Sequence, residues 1–122
     1  MIMKHNQRVE IRPSTADDFC AFYDFKTMPF TARSLSFFLD GTLAGVGGVR
    51  LEKGCYIAFS DMKEDVKVSK ATIYRCGLEV MALIKNMGIS VVAVAKNDTT
   101  AHGFLKRLGF VLDDSGDYYR YG

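Results

Sequence analysis

The sequence is poor in the features that mark disordered or membrane-spanning chains. Two of its 122 residues are proline and 48% are hydrophobic, which excludes a disordered chain. No apolar run approaches the ~20 residues of a transmembrane helix, and no apolar stretch of signal-peptide length follows Met1. We therefore expect one domain over residues 1–122, with residues 1–7 disordered, in the cytoplasm and away from membranes.

Cysteine is scarce, and charge is balanced. Cys20, Cys55 and Cys76 form neither an even set nor a CxxC pair, which excludes a disulfide framework and argues against a zinc site. We expect free thiols, with Cys55 and Cys76 in the core and no bound metal. The net charge is +2 and no Lys/Arg run exceeds two residues, so no nucleic-acid partner is expected.

Hydrophobic patterning predicts a strand, a short helix and a three-stranded meander in the first half. Residues 9–12 alternate between apolar and charged, and Ser14-Thr15 followed by acids begins a helix with Phe19, Phe22 and Tyr23 on one face. The loop 27–34 either packs on the core or walls a substrate site through Met28-Pro29-Phe30. The meander strands are predicted at residues 35–39, 43–51 and 55–60. Gly45, Gly47 and Gly48 indicate a bulge or a close backbone approach.

The second half predicts two helices and three further strands. After a charged linker at 61–68, Ser69 caps a helix that runs to about Met87 and is terminated by Gly88. Its core face consists of Ile73, Gly77, Val80, Met81, Ile84 and Met87. The apolar run at 90–95 is typical of a parallel strand buried on both faces. A helix from residue 97 with Ala101, Phe104, Leu105 and Leu108 on one face precedes strands at 110–112 and 118–121. The order indicates an α+β, or mixed α/β, layered architecture.

The C-terminal segment carries a family resemblance. Asn97-Asp98, Ala101, Phe104-Leu105, Arg107 and Gly109-Phe110 resemble the "Asn-x-x-Ala-x-x-Phe-Tyr-x-Lys-x-Gly-Phe" segment of the GNAT superfamily of N-acetyltransferases. The opening Ile11-Arg12-Pro13 with Ala16-Asp17-Asp18 is also similar. Ser60-Asp61 and Phe104-Leu105-Lys106 look most like small GNAT-like proteins encoded by tailed phages. The resemblance implies an acyl-CoA N-acyltransferase fold, with a mostly antiparallel sheet of six to seven strands flanked by three helices.

The resemblance also implies a cofactor, acetyl-CoA, and a set of site residues. Phe59 and Ser60 would lie on the splayed strand, whose backbone polarises the thioester carbonyl. Lys67, Val68, Ser69 and Lys70 would hold the pyrophosphate at a helix N-terminus, with Asn97 and Phe104 nearby. The family's glycine-rich loop is absent, since residues 61–70 contain no glycine. The family's tyrosine falls at Leu105, which cannot donate a proton.

Candidate catalytic residues each have a structural alternative. Asp61 is a candidate general base or a turn residue, and Glu52 is a second candidate. Tyr119, which shares a strand face with Tyr121, either replaces the missing proton donor or packs in the sheet. His102 is expected to face outward.

Two functions from different classes follow. The first is transfer of an acetyl group from acetyl-CoA to a small-molecule or protein amine by direct transfer. The second is a catalytically inactive binding protein, such as a phage accessory, virion-associated or host-targeting protein, with a protein partner or a homodimer.

Overall fold

The predicted alternation of strands and helices forms one mixed sheet covered by helices. The computed structural model describes residues 8–24, 26, 31–63, 65–95 and 99–122. Within them lie β1 (Val9–Pro13), α1 (Ala16–Tyr23), β2 (Thr31–Leu39), β3 (Thr42–Glu52), β4 (Cys55–Met62), α2 (Lys70–Met87), β5 (Val91–Ala93), α3 (Thr99–Arg107), β6 (Val111–Leu112) and β7 (Tyr119–Tyr121). The sheet order is β1-β2-β3-β4-β5-β7-β6, and β4 and β5 form its parallel pair. The predicted α+β architecture is confirmed.

Helices cover both faces of this sheet. On β4, the Phe59 ring lies 5.9 Å from that of Phe19 in α1, whereas Ala58 packs into the cluster built around α2. Because successive side chains of a strand point to opposite faces, we call these the α1 face and the α2 face. Helix α3 lies on the α2 face, where Gly77 of α2 lets the Phe104 side chain approach closely.

The core lies mainly between α2 and the sheet. Helix α2 buries Cys76, Gly77, Val80, Met81 and Ile84, which confirms most of its predicted core face. The partners of these residues include Phe37, Val49, Val91, Phe110 and Tyr119. Burial raises the pKa of the Cys76 thiol to about 11. The prediction for Cys55 was wrong: it is exposed, because it begins β4 directly after the Lys53-Gly54 turn.

A polar cluster fixes α1 to the sheet. Thr15 and Asp18 form a reciprocal capping box at the first turn of α1. The Asp18 carboxylate also accepts hydrogen bonds from Arg12 at 3.0 Å and from the fully buried Ser36 hydroxyl at 3.1 Å. Desolvation opposes ionisation of Asp18, but the Thr15 amide, Ser36 and Arg12 together lower its pKa.

Three element boundaries differ from the sequence-based expectation. Residues 31–34, expected in a loop, belong to β2, because they pair with residues 48–51 of β3. Strand β4 continues to Met62, opposite Gly45, so the expected linker begins later. The expected buried run at 90–95 is a strand only over Val91–Ala93, and Val94 is 71% exposed. Residues 28–30, expected either to pack on the core or to wall a substrate site, lie outside the described residues.

The glycines of β3 mark both a bulge and a close approach. The register against β2 shifts between Phe37 and Phe38, leaving Ala44 unpaired between Leu43 and Gly45. A Cβ atom on Gly48 would lie 2.1 Å from the Arg33 carbonyl oxygen of β2. Only a residue without a side chain fits there.

Replacing Gly48 with alanine is expected to lower the free energy of unfolding by about 2 kcal/mol or more, because two paired strands would have to separate. The matched control is Gly103→Ala in α3, where a Cβ meets nothing within 4 Å; it is expected to stabilise by about 0.5–1 kcal/mol. Urea denaturation of both variants measures the difference. Equal effects would contradict the close approach of β2 and β3.

Asp18 makes stability depend on acid pH. Because its folded pKa lies below the unfolded one of 3.8, its contribution is complete above that value and is lost as pH falls through the folded pKa. We expect wild type to be more stable than Asp18→Asn at pH 7, with the gap closing as pH falls below about 4. Denaturation curves at several pH values measure this gap; a constant difference would contradict it.

Candidate functional site

The site is built on the divergence of β4 and β5. Strand β4 is paired with β3 from Cys55 to Met62. In the part of the chain that the structure describes, it is paired with β5 at one position, Ile57 opposite Val92. Since β5 ends at Ala93 while β4 runs on to Met62, the two strands leave a wedge between them. Alternate backbone groups of β4 face that wedge instead of a neighbouring strand.

A cavity of about 400 Å³ fills the wedge. Its size falls in the range of small-molecule sites, and its walls are mainly apolar, as is usual for such sites. The walls consist of Arg50, Ile57, Ala58, Phe59, Ser60 and Asp61 from the sheet, Ala93, Val94 and Ala95 from the β5 segment, Gly77, Val80, Met81 and Ile84 from α2, and Ala101, Phe104, Leu105, Leu108 and Phe110 from the α3 region.

The cavity reaches both faces of the sheet. Phe59 and Asp61 belong to the α1 face, and Ala58 and Ser60 belong to the α2 face, yet all four line it. A ligand bound in the wedge would therefore contact residues that belong to both faces. Such an arrangement can bring two substrates together.

At the α1 side of the wedge, Tyr23 holds Asp61. The Tyr23 hydroxyl donates a hydrogen bond to Asp61 Oδ2, and its ring lies 4.8 Å from those of both Phe19 and Phe22. Burial raises the pKa of Tyr23, and the Asp61 hydrogen bond and charge raise it further, while Arg50 lowers it. Tyr23 is therefore a protonated donor at neutral pH. The sequence pattern places Tyr23 on an apolar helix face and misses its role in the site. The one feature of the sequence that pointed to this role is the hydroxyl of the tyrosine side chain.

The structure brings part of the predicted site together. Phe59, Ser60, Asp61 and Phe104 come from two separate elements and line the same cavity. Leu105 lines it too, so the position where the resemblance expects a tyrosine carries no proton donor there. Glu52 lies at the end of β3, and its carboxylate is 3.3 Å from the Nε of Arg50.

The residues predicted to bind the pyrophosphate do not line the cavity. Lys67, Val68, Ser69 and Lys70 are not among the cavity walls, and Lys67, Ser69 and Lys70 are exposed. Ser69 caps α2, as predicted, because its Oγ accepts a hydrogen bond from the Thr72 amide at 3.1 Å. Asn97 lies outside the described residues. Cofactor binding by this segment stays a prediction.

Tyr119 is buried behind the cavity. It is 1% exposed and does not line the wedge. Its hydroxyl lies 2.7 Å from Nδ1 of His102, so His102 does not face outward as expected. The pair joins α3 to β7, and a proton-donor role for Tyr119 stays a prediction.

The described residues contain neither a group of metal ligands nor a membrane-spanning helix. No three of their His, Cys, Asp and Glu side chains are grouped as ligands for an ion. Among the described helices, none has the length and apolarity needed to cross a bilayer.

Two solved structures resemble this fold. An acetyltransferase from Agrobacterium tumefaciens strain C58 superimposes with a TM-score of 0.67 at 15% identity, over 100% of this chain and 97% of that one. A variant of the AtaT toxin bound to the C-terminus of the antitoxin AtaR gives a TM-score of 0.48 at 12% identity, over 93% and 91%. No protein-family model and no curated protein matches the sequence. The first likeness spans the whole chain and shows an acetyltransferase fold, which confirms the predicted GNAT-type fold.

Replacing Asp61 with asparagine is expected to let one phenol ionise at lower pH, because Tyr23 loses the carboxylate that raises its pKa. Ultraviolet absorbance during alkaline titration counts the ionising phenols. The double variant Tyr23→Phe, Asp61→Asn should lack the ionisation of this phenol. Superimposable wild-type and Asp61→Asn titration curves would contradict the Tyr23–Asp61 pair.

Proposed function

We propose that this protein is an N-acetyltransferase that moves an acetyl group from acetyl-CoA to an amine. The observation that carries the proposal is the wedge between β4 and β5, whose cavity reaches both faces of the sheet with Asp61 in its wall. A donor on the α2 side and an acceptor on the α1 side would meet there. The whole-chain likeness to an acetyltransferase supports the same reaction class.

The wedge suits the amide-bearing arm of acetyl-CoA. Between Ala58 and Met62, alternate backbone groups of β4 face the space that β5 does not occupy. An extended chain with amides can pair with such an edge as an added strand would. Phe104, Leu105 and Leu108 of the α3 region line the cavity and would cover the arm with apolar surface. When bound, the cofactor supplies an acyl carbon activated as a thioester.

The N-terminus of α2 is the part of the chain that suits the pyrophosphate. The first amides of a helix have no intrahelical partner, and the helix dipole favours an anion at this end. Lys67 and Lys70 flank the Ser69 cap and add positive charge. These features replace the glycine-rich loop that residues 65–70 lack.

Asp61 is the proposed general base. Asp61 lines the cavity, and its carboxylate accepts a hydrogen bond from the Tyr23 hydroxyl. An amine that enters from this side can give a proton to Asp61 and present a lone pair to the acyl carbon. The reaction proceeds by direct transfer, because holding both reactants in one wedge supplies the orientation that the step needs.

A second candidate function is partner binding without catalysis. The observation that favours it is Leu105 in the cavity wall, where the resemblance expects the proton donor. On this hypothesis, the fold has been retained for a protein partner and the wedge binds no acetyl-CoA. The two candidates differ in whether the cofactor binds.

Calorimetric titration with acetyl-CoA, and with free CoA as the control, tests the proposal. We expect saturable binding in the micromolar range, about −8 kcal/mol. Asp61→Asn should retain donor binding but lose about 10²- to 10⁴-fold in kcat, because the amine keeps its proton. The matched control Asp117→Asn changes an exposed carboxylate outside the cavity walls and should leave kcat unchanged. Absence of binding at millimolar acetyl-CoA would refute the enzyme and favour partner capture.

A further inference from the structure

The cavity carries charges of both signs on one face. Of the described residues that line it, the charged ones are Arg50 and Asp61. Both act on the same group, since Asp61 raises the pKa of the Tyr23 phenol and Arg50 lowers it. The Asp61 carboxylate accepts a hydrogen bond from the Tyr23 hydroxyl, and Arg50, the cross-strand partner of Ile57, lies on the same α1 face of the sheet.

The strand register sets the distance between these charges. Arg50 is the cross-strand partner of Ile57, and Asp61 follows Ile57 by four residues on β4. Four residues at about 3.3 Å each and one strand spacing of about 4.8 Å place the two backbone positions about 14 Å apart. Both side chains belong to the α1 face. Both side chains leave the sheet on the same side, roughly perpendicular to it, so the arginine side chain does not fill that distance. A small molecule with two opposite charges, held by two charge-assisted hydrogen bonds of about 2.8 Å each, fits between them.

The guanidinium of Arg50 suits a carboxylate. Its Nε forms an ion pair with the Glu52 carboxylate at 3.3 Å. A guanidinium carries five N–H donors, so it can hold Glu52 and a second carboxylate together. Between Arg50 and Asp61, the α1 face of the wall consists of Ile57 and Phe59, which are apolar.

We propose that the acceptor is a free amino acid with an apolar side chain. Its ammonium binds Asp61, its carboxylate binds Arg50, and its side chain packs on Ile57 and Phe59. The inference rests on the proposed acetyl transfer and names its acceptor. The ammonium gives one proton to Asp61, and its nitrogen replaces sulfur on the acyl carbon. The second amine proton goes to the departing sulfur.

Three acceptors that share one side chain test this: leucine, leucinamide and isoamylamine. Leucinamide lacks the charged carboxylate, and isoamylamine lacks the carboxyl group altogether. With acetyl-CoA as donor, kcat/KM for leucine should exceed that for either analogue by about 10- to 100-fold, the effect of one charge-assisted hydrogen bond. Equal values for all three would overturn the inference and leave the transferase standing. Wild type that binds acetyl-CoA but acetylates none of the three would also overturn the inference, whereas absence of acetyl-CoA binding would overturn the proposed function instead.

Arg50→Gln separates recognition from chemistry. The variant should reduce kcat/KM for leucine to the isoamylamine level while keeping isoamylamine within about threefold, because only the carboxylate contact is lost. The matched control is Arg33→Gln, an exposed arginine of β2 outside the cavity walls, which should keep the preference for leucine. An equal loss on all acceptors in Arg50→Gln would overturn the assignment.

A measurement on wild type covers the case in which Arg50→Gln does not fold. Isocaproate has the carboxylate and the branched chain of leucine but no amine. It should inhibit isoamylamine acetylation competitively, whereas the uncharged 4-methylpentanol should not inhibit at the same concentration. Equal inhibition by both compounds would show that the wall recognises only the apolar chain and would overturn the role of Arg50.

Discussion

The parallel pairing of β4 and β5 is the constraint on which the site depends. A parallel pair needs a crossover, and α2 supplies it on one face of the sheet. Among the described residues the pairing holds at Ile57 and Val92 and goes no further. Beyond this point, towards Met62, α2 and α3 pack around an opening. A longer ladder would close the wedge and bury the backbone groups that face it.

Close packing of the helices shapes that opening. Gly77 in α2 has no side chain, and a Cβ there would lie 2.7 Å from the Phe104 ring. Helix α3 can therefore approach α2 and still present Phe104, Leu105 and Leu108 to the cavity. Sequence periodicity predicts that these apolar helix faces belong to the core. In the structure they pack against the sheet and also line the walls of the wedge.

The polar side of the site depends on how α1 is held. Arg12, Asp18 and Ser36 tie the first turn of α1 to β1 and β2. This attachment places Tyr23, one helix length away, on Asp61 of β4. A carboxylate in an apolar wall needs such a donor, because an ionised group without hydrogen bonds is costly to bury. The capping chemistry at one end of α1 therefore supports the candidate base at the other end.

The sequence by itself determined the order of elements, the core face of α2, the caps at Thr15 and Ser69, and the parallel strand after the crossover. Each follows from local rules: hydrophobic period, capping side chains, turn residues and the continuous apolar run of a buried strand. Phe59, Ser60, Asp61 and Phe104 could also be named, through the resemblance of their segments. The role of Tyr23, the exposure of Cys55 and the His102–Tyr119 contact could not. Only the tertiary structure decided these, because they depend on strand register and on helix position across residues distant in the chain. The Tyr23–Asp61 hydrogen bond joins residues 38 positions apart, and no local pattern records such a contact.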